Sequence, residues 1–445
     1  MYKSLQIAGF VLLMMCGPAL AQNTPARAPT ASVQVQAMPA INGKANFDPV
    51  KASDAYLWRI NGSERLRSDT YFEGRYWLML VRVLYAILVA AGLLWLRVSS
   101  AMRDLAERVT RKRIWQTSLY AVQYIAVMTV LSFPLTFYQN YAREHIFDLS
   151  NQSFLDWLAD FGLGTALNII LGSILLTILY WVVRKAKQAW WLWGAGVAIL
   201  YLVFAIAITP NLLGLYVHFS PLPDGQMKSD IQELARGNGL DAKNISVITV
   251  SDRTNRIGAG IIGFGKNANI VVYDTLLKEG SEREIKMAIA QEIGHAVMNH
   301  AMNGLVLFSL LIFAGFAFAH YSFLLLADLF GGSWDVRRLD DPAGLPILIA
   351  AGTVFFLLAS PLTNWIGRNQ GKEADLFALN AAREPDALAT LILKQSAFVK
   401  LEPGELEEDL FYNRPSGRSR IGTAMRWKDA HLTDGDIASG PTSPQ

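Results

Sequence analysis

Three residues on one stretch carry the most specific chemistry in the chain: Gln291, Glu292 and His295, within Ala-Ile-Ala-Gln-Glu-Ile-Gly-His-Ala-Val-Met-Asn-His at 288–300. On a helix, the pattern H-E-x-x-H sets two imidazoles four residues apart on one face, where they bind zinc, and the glutamate works as general base. Here an amide replaces the first imidazole. An imidazole nitrogen is a strong zinc donor and an amide offers only a weak carbonyl oxygen, so Glu292 and His295 stand in a site that lacks one corner. The residues alone leave two readings open: a zinc site with altered ligands, or a buried helix with one satisfied histidine.

The element that must present these side chains is well signalled. Ser281 with Glu284 three residues on makes a capping box, and Ile285, Ile289, Ile293 and Val297 form the buried stripe of a helix running to about His300. Gln291 and His295 then share a second face. Upstream, Met227, Ile231, Leu234 and Ala235 have helical spacing over 226–238, and 245–250 and 270–273 are short β-branched runs that read as strands. The spacing therefore predicts a small α/β unit over 214–302.

That unit belongs to a membrane chain. Of its 445 residues, 52% are hydrophobic and 17% charged, and the mean hydropathy is positive. Spans are predicted at 76–97, 115–137, 164–183, 189–213, 303–328 and 345–362, each long enough for about 30 Å of hydrocarbon. A net charge of only +3, with basic residues grouped in short loops, excludes nucleic-acid binding. The lone Cys16 permits neither an intrachain disulfide nor a cysteine metal site. Lys3, an apolar stretch from Ile7 to Met15 and Ala19-Leu20-Ala21 read as a secretory signal over 1–21, cleaved after Ala21. An uncleaved first membrane helix is the alternative, and Met15 argues against a lipoprotein site at Cys16. Residues 22–45 are Ala/Pro-rich without periodicity, predicting a disordered linker that reaches to about residue 70. Arg82 and Pro134 inside spans either mark a polar cavity or only snorkel and kink.

Loop charges set an orientation. Arg97, Arg103, Arg108, Arg111, Lys112 and Arg113 follow the first span, and Arg184, Lys185 and Lys187 follow the third, which places both loops in the cytoplasm. The loop with Asp148, Asp156 and Asp160 then faces outward. Residues 214–302 and the chain from 363 emerge on the periplasmic side of a bacterial inner membrane.

Further segments carry a resemblance. Phe133-Pro134-Leu135-Thr136-Phe137-Tyr138, Arg143-Glu144-His145-Ile146-Phe147, Trp157-Leu158-Ala159-Asp160, Gly263-Phe264-Gly265, Ile270 to Leu277, Glu373-Ala374-Asp375 and Arg420-Ile421 resemble, in order, the type I CAAX prenyl proteases. These are integral-membrane zinc metalloendopeptidases, and the likeness covers most of 70–430. It implies a polytopic α-helical membrane protein with an inserted small α/β zincin-like metallopeptidase domain. About four membrane helices would lie in 71–213 and two in 303–362, with the C-terminal part of the peptidase domain from 363. A water-filled chamber would have the site at its mouth.

The resemblance also implies losses. The family's third zinc ligand, a glutamate four residues before the aspartate of the Ala-Asp pair, falls at Gly371. An asparagine and a histidine thought to contact substrate or its transition state fall at Gly258 and Arg414. Asp375 matches the residue that holds a ligand histidine from behind. Glu373 is a weak substitute ligand, because two residues along a helix turn it by about 200°. His300 is rotated about 140° from His295 on a continuous helix, and the family's histidine there does not bind zinc. His145, His218, His320 and His431 lie elsewhere. Catalytic zinc needs three protein ligands and a water. The expectation is a pseudopeptidase without zinc that binds a peptide, lipid-modified or membrane-protein ligand in contact with membrane lipid. The alternative is an active zinc endopeptidase using His295, Glu373 and the weak Gln291 amide, with Glu292 as base. A transporter would need paired intramembrane charges that the spans lack.

Overall fold

The computed structural model describes residues 47–60, 62–241, 244–263, 269–396 and 399–438. The signal at 1–21 with Cys16, the linker as far as residue 46, and Phe264 and Gly265 lie outside the described residues.

The last part of the expected linker is helical. Helix α1, Pro49–Leu57, starts where the Asp48 carboxylate accepts from the N–H groups of Val50 and Lys51, with Pro49 in the first turn. Tyr56 donates to Asp386 (2.7 Å), and Ala52, Tyr56 and Leu57 enter the core of the α/β domain. The polar composition of 47–70 concealed a segment whose order comes from docking on residues more than 300 positions away.

The membrane part comprises α2 Gly62–Trp95, α3 Val98–Val109, α4 Arg113–Phe137, a π turn at Tyr138–Ala142 leading into α5 Arg143–Ile146, α6 Phe154–Ala186 and α7 Trp190–Leu213. Five helical segments among the described residues are long and apolar enough to cross a membrane: 62–95, 113–146, 154–213, 300–334 and 342–382. The 60-residue segment 154–213 breaks at Lys187, whose φ is 49°, and α6 packs against α7. Five of the six predicted spans fall within these segments, and the first, 76–97, runs two residues past the helix end at Trp95. Arg82 lies mid-helix in α2 and donates to Gln139 on the π turn (3.4 Å), so it faces the bundle rather than an end.

The α/β domain contains β1 His218–Pro221, α8 Gln226–Gly237, β2 Asn244–Thr249, β3 Ala259–Ile262, β4 Asn269–Tyr273, α9 Asp274–Glu279 and α10 Glu282–Val297. The chain then makes two long helices, α11 His300–Trp334 and α12 Leu345–Ala382, before α13 Pro385–Lys394, α14 Glu405–Phe411 and α15 Gly417–Ala430. The sheet order is β1-β2-β4-β3, parallel between β2 and β4 and antiparallel at both edges. The edge strands were not foreseen, because four residues are too few to show alternation. One apolar cluster joins the sheet to the helices through Ile245, Val272, Ile289, Leu379, Leu388 and Ile421.

At 38 residues, α12 is about 57 Å long at 1.5 Å per residue, against about 30 Å of hydrocarbon. Its first half is the last predicted span, and its second half packs on α10. At the bundle end beneath the domain, Arg256 pairs with Glu144 and donates to the Tyr71 hydroxyl (3.0 Å), which itself donates to Glu144 (2.6 Å). At the far end, buried Arg103 holds Asp341 (2.8 Å) and Asp335 (2.7 Å), tying α3 to the segment before α12.

Candidate functional site

The capping box forms as predicted: Glu284 N–H donates to Ser281 Oγ (3.3 Å) and Ser281 N–H to Glu284 Oε2 (2.8 Å). Ile285, Ile289 and Ile293 are fully buried. Val297, expected on the same stripe, is 41% exposed, because α10 ends there. Asn299 adopts the left-handed conformation, φ 55°, which an asparagine tolerates, and α11 sets off at His300 in a new direction. Gly294 allows the tight crossing with α12, since a Cβ there would come within 2.9 Å of the Phe377 ring.

The break at Asn299 corrects the expectation for His300. The rotation of about 140° assumed one continuous helix. In the structure His295 Nδ1 and His300 Nδ1 lie 2.9 Å apart, and His300 Nε2 is 2.9 Å from Glu373 Oε2. A carboxylate only accepts, so His300 donates through Nε2, accepts at Nδ1 from His295, and leaves the lone pair of His295 on Nε2. Glu373 therefore meets His300, not the face shared by Gln291 and His295.

Asp375 is held more firmly. Arg420 donates through Nε to Oδ2 (2.7 Å) and through an Nη to Oδ1 (2.8 Å), and the Gln291 amide also donates to Oδ1 (2.9 Å). Asp375 is 1% exposed and Arg420 7%, so this is a buried bidentate ion pair. Because Gln291 must turn its NH2 toward the carboxylate, only its carbonyl oxygen remains for any cation.

Gln291, His295, Gly371, Arg414, Pro415 and Arg420 line one narrow cleft with Gly367 and Asn413. It has about 10 Å³ of water-accessible volume, the size of a single water. A Cβ on Gly371 would lie 2.8 Å from Pro415 Cδ; the pyrrolidine ring fills the space that a side chain at 371 would need. Burial first, then the Arg414 guanidinium, push the His295 imidazole well below its usual range, keeping it neutral. Glu292, one turn along, is half-buried. Gly258 is buried beside β4, its carbonyl accepting from Tyr273 N–H (3.0 Å).

This donor set does not fit catalytic zinc. The cleft offers one imidazole nitrogen and one amide oxygen, faces two guanidinium groups, and its carboxylate already accepts three hydrogen bonds from Arg420 and Gln291. Among the described residues, no group of three or more His, Cys, Asp or Glu side chains is placed to hold a metal ion. His145 contacts the carbonyls of Tyr141 and Gln152, His320 accepts from Trp190 (2.9 Å), His431 contacts the Trp427 carbonyl, and His218 lies on edge strand β1.

Two family models match this architecture end to end: the peptidase family M48 model over residues 221–428, and the CAAX prenyl protease N-terminal model, five membrane helices, over 59–214. The chain belongs to peptidase family M48. This M48 protein is 24% identical over 350 residues to the uncharacterized metalloprotease YhfN of Bacillus subtilis, covering 78% of the chain and 81% of the relative. It is 30% identical over 275 residues to a CAAX prenyl protease 1 homolog of Oryza sativa, covering 60% and 63%. The crystal structure of S. mikatae Ste24p shares the fold, with a TM-score of 0.65 at 18% identity over 95% of this chain and 99% of that one. The M48 protein is thus a multi-pass membrane protein of a metallopeptidase family. Sequence reasoning missed His300 and Pro415 as parts of the site; Asn299 was the available signal for the first.

Proposed function

We propose that this M48 protein is a membrane pseudopeptidase that retains the family fold and binds a peptide or membrane-protein ligand without zinc-dependent cleavage. The observation that carries the reading is the filled corner: Pro415 occupies the space beside Gly371, while Arg420 and Gln291 occupy Asp375. Arg414 at the cleft favours a ligand that presents a carboxylate or carbonyl oxygen there. Full-length protein purified without added metal, measured by inductively coupled plasma mass spectrometry, should contain far less than one zinc per chain and leave an unfolded membrane substrate uncut.

The linked His295, His300 and Glu373 favour a second reading, an active zinc endopeptidase with altered ligands and Glu292 as base. Near-stoichiometric zinc that disappears in His295→Ala would establish it and end the first. For orientation, the arginine-rich loops and the α/β domain occupy opposite ends of the bundle, which supports a periplasmic site by the positive-inside rule and puts prenylated cytoplasmic proteins out of reach. In a Cys16→Ala background, Lys278→Cys should react with a membrane-impermeant maleimide in intact cells; labelling only after lysis puts the site in the cytoplasm.

A further inference from the structure

At the bundle end remote from the α/β domain, α3, the first turns of α4, the last turn of α6 and the segment before α12 enclose a pocket of about 220 Å³. Five arginines line it, Arg103, Arg113, Arg184, Arg337 and Arg338, against three acids, Glu107, Asp340 and Asp341. The pairings are unequal. Arg103 is 3% exposed and bound to Asp104, Asp335 and Asp341, so it is part of the wall. Arg337 is held by Glu107 at 2.8 Å. Arg113 and Arg338 share Asp340, at 3.8 Å and 3.9 Å, the outer limit of an ion pair. Arg184 donates to the Thr117 hydroxyl (3.1 Å) and keeps further donors.

Two guanidinium groups sharing one carboxylate, with Arg184 bound only to a neutral hydroxyl, leave the mouth of the pocket cationic. The N-terminus of α4, a 25-residue helix with no side-chain cap, adds N–H groups and the positive end of its dipole at Arg113. Planar guanidinium forks match tetrahedral phosphate oxygens. The pocket is smaller than sites for drug-sized molecules, and it opens where α4 and α6 reach the membrane boundary, the setting in which basic pockets between helices hold lipid headgroups. We propose that this pocket binds a phosphate ester, supplied either by an anionic phospholipid headgroup or by a soluble phosphate compound. The proposal is independent of whether the cleft at His295 binds zinc.

The test uses the full chain in nanodiscs of phosphatidylcholine alone, with added phosphatidylglycerol, or of phosphatidylcholine with glycerol 3-phosphate in solution. Thermal unfolding and lipid retention by native mass spectrometry are the readouts. Phosphatidylglycerol should be retained in roughly tenfold preference to phosphatidylcholine, given the worth of each arginine near an anionic lipid, and should raise Tm. Arg113→Glu with Arg338→Glu, at side chains 76% and 85% exposed and so not needed for folding, should remove both effects. Arg184→Gln should weaken them, and Arg283→Gln in the α/β domain should change neither. A Tm rise with glycerol 3-phosphate in pure phosphatidylcholine, lost in the double variant, assigns the same site to a soluble ester. Equal retention of both lipids with no Tm rise in any arm, or a preference that survives the double variant, overturns the proposal.

Discussion

Rebuilding the zinc corner is the sharpest test of how the cleft has changed. By sequence, Gln291→His with Gly371→Glu restores the missing ligands, but the structure adds an obstacle. A side chain at 371 places its Cβ 2.8 Å from Pro415 Cδ, so the proline must retreat by about 0.6 Å to reach ordinary contact. Overpacking of this kind costs about 1–3 kcal/mol, and in a domain of roughly 200 residues that lowers Tm by about 2–12 °C. The double variant should therefore be destabilised and take up little zinc. Adding Pro415→Ala removes the clashing atoms; it should recover most of the lost Tm and raise zinc content toward one per chain, read by fluorescence-monitored unfolding and elemental analysis of the same samples. A double variant as stable as the parent, or a third substitution without effect on either readout, would refute the argument that Pro415 fills the ligand's place.

Other outcomes follow from neighbouring residues. Asp375→Asn leaves the Arg420 cation buried without its carboxylate and should cost about 3–5 kcal/mol, seen as a large fall in Tm; a near-parental Tm contradicts the pairing. His295 is held neutral by burial, Arg414 and nearby His300, so the unfolded chain takes up a proton that the folded chain refuses. Stability is unaffected above the ordinary histidine pKa of 6.5 and falls as pH drops below it; His295→Gln should flatten the Tm decline between pH 7.5 and 5.5. Asn299→Val puts a β-branched residue at φ 55° and should cost about 1–2 kcal/mol where Asn299→Gly is tolerated, as paired unfolding curves will show.

Much of this was legible in the chain. Ser281, Glu284 and the Ile285, Ile289, Ile293 stripe placed the site helix because capping and periodicity are local, and hydropathy placed the six spans for the same reason. What escaped were contacts set by other parts of the molecule. The turn at Asn299 redirected His300 and invalidated a rotation computed along an unbroken helix. Pro415 fills the place opposite Gly371 from more than 40 positions away. Asp48 and Pro49 did announce a helix start, but a composition poor in periodic apolar residues hid the docking that orders α1.

Helix α12 joins two parts of the molecule in one rod, its first half within the apolar candidate span and Gly371 to Asp375 at the cleft. Pro361, which lacks a backbone N–H, is the one interior proline of that rod and falls between its two parts. Bilayers of different thickness tilt spanning helices, and in this one the span and the cleft segment are a single continuous element. Any adjustment of the span to its membrane is therefore made by the same helix that carries Gly371 and Asp375 to the crossing with α10.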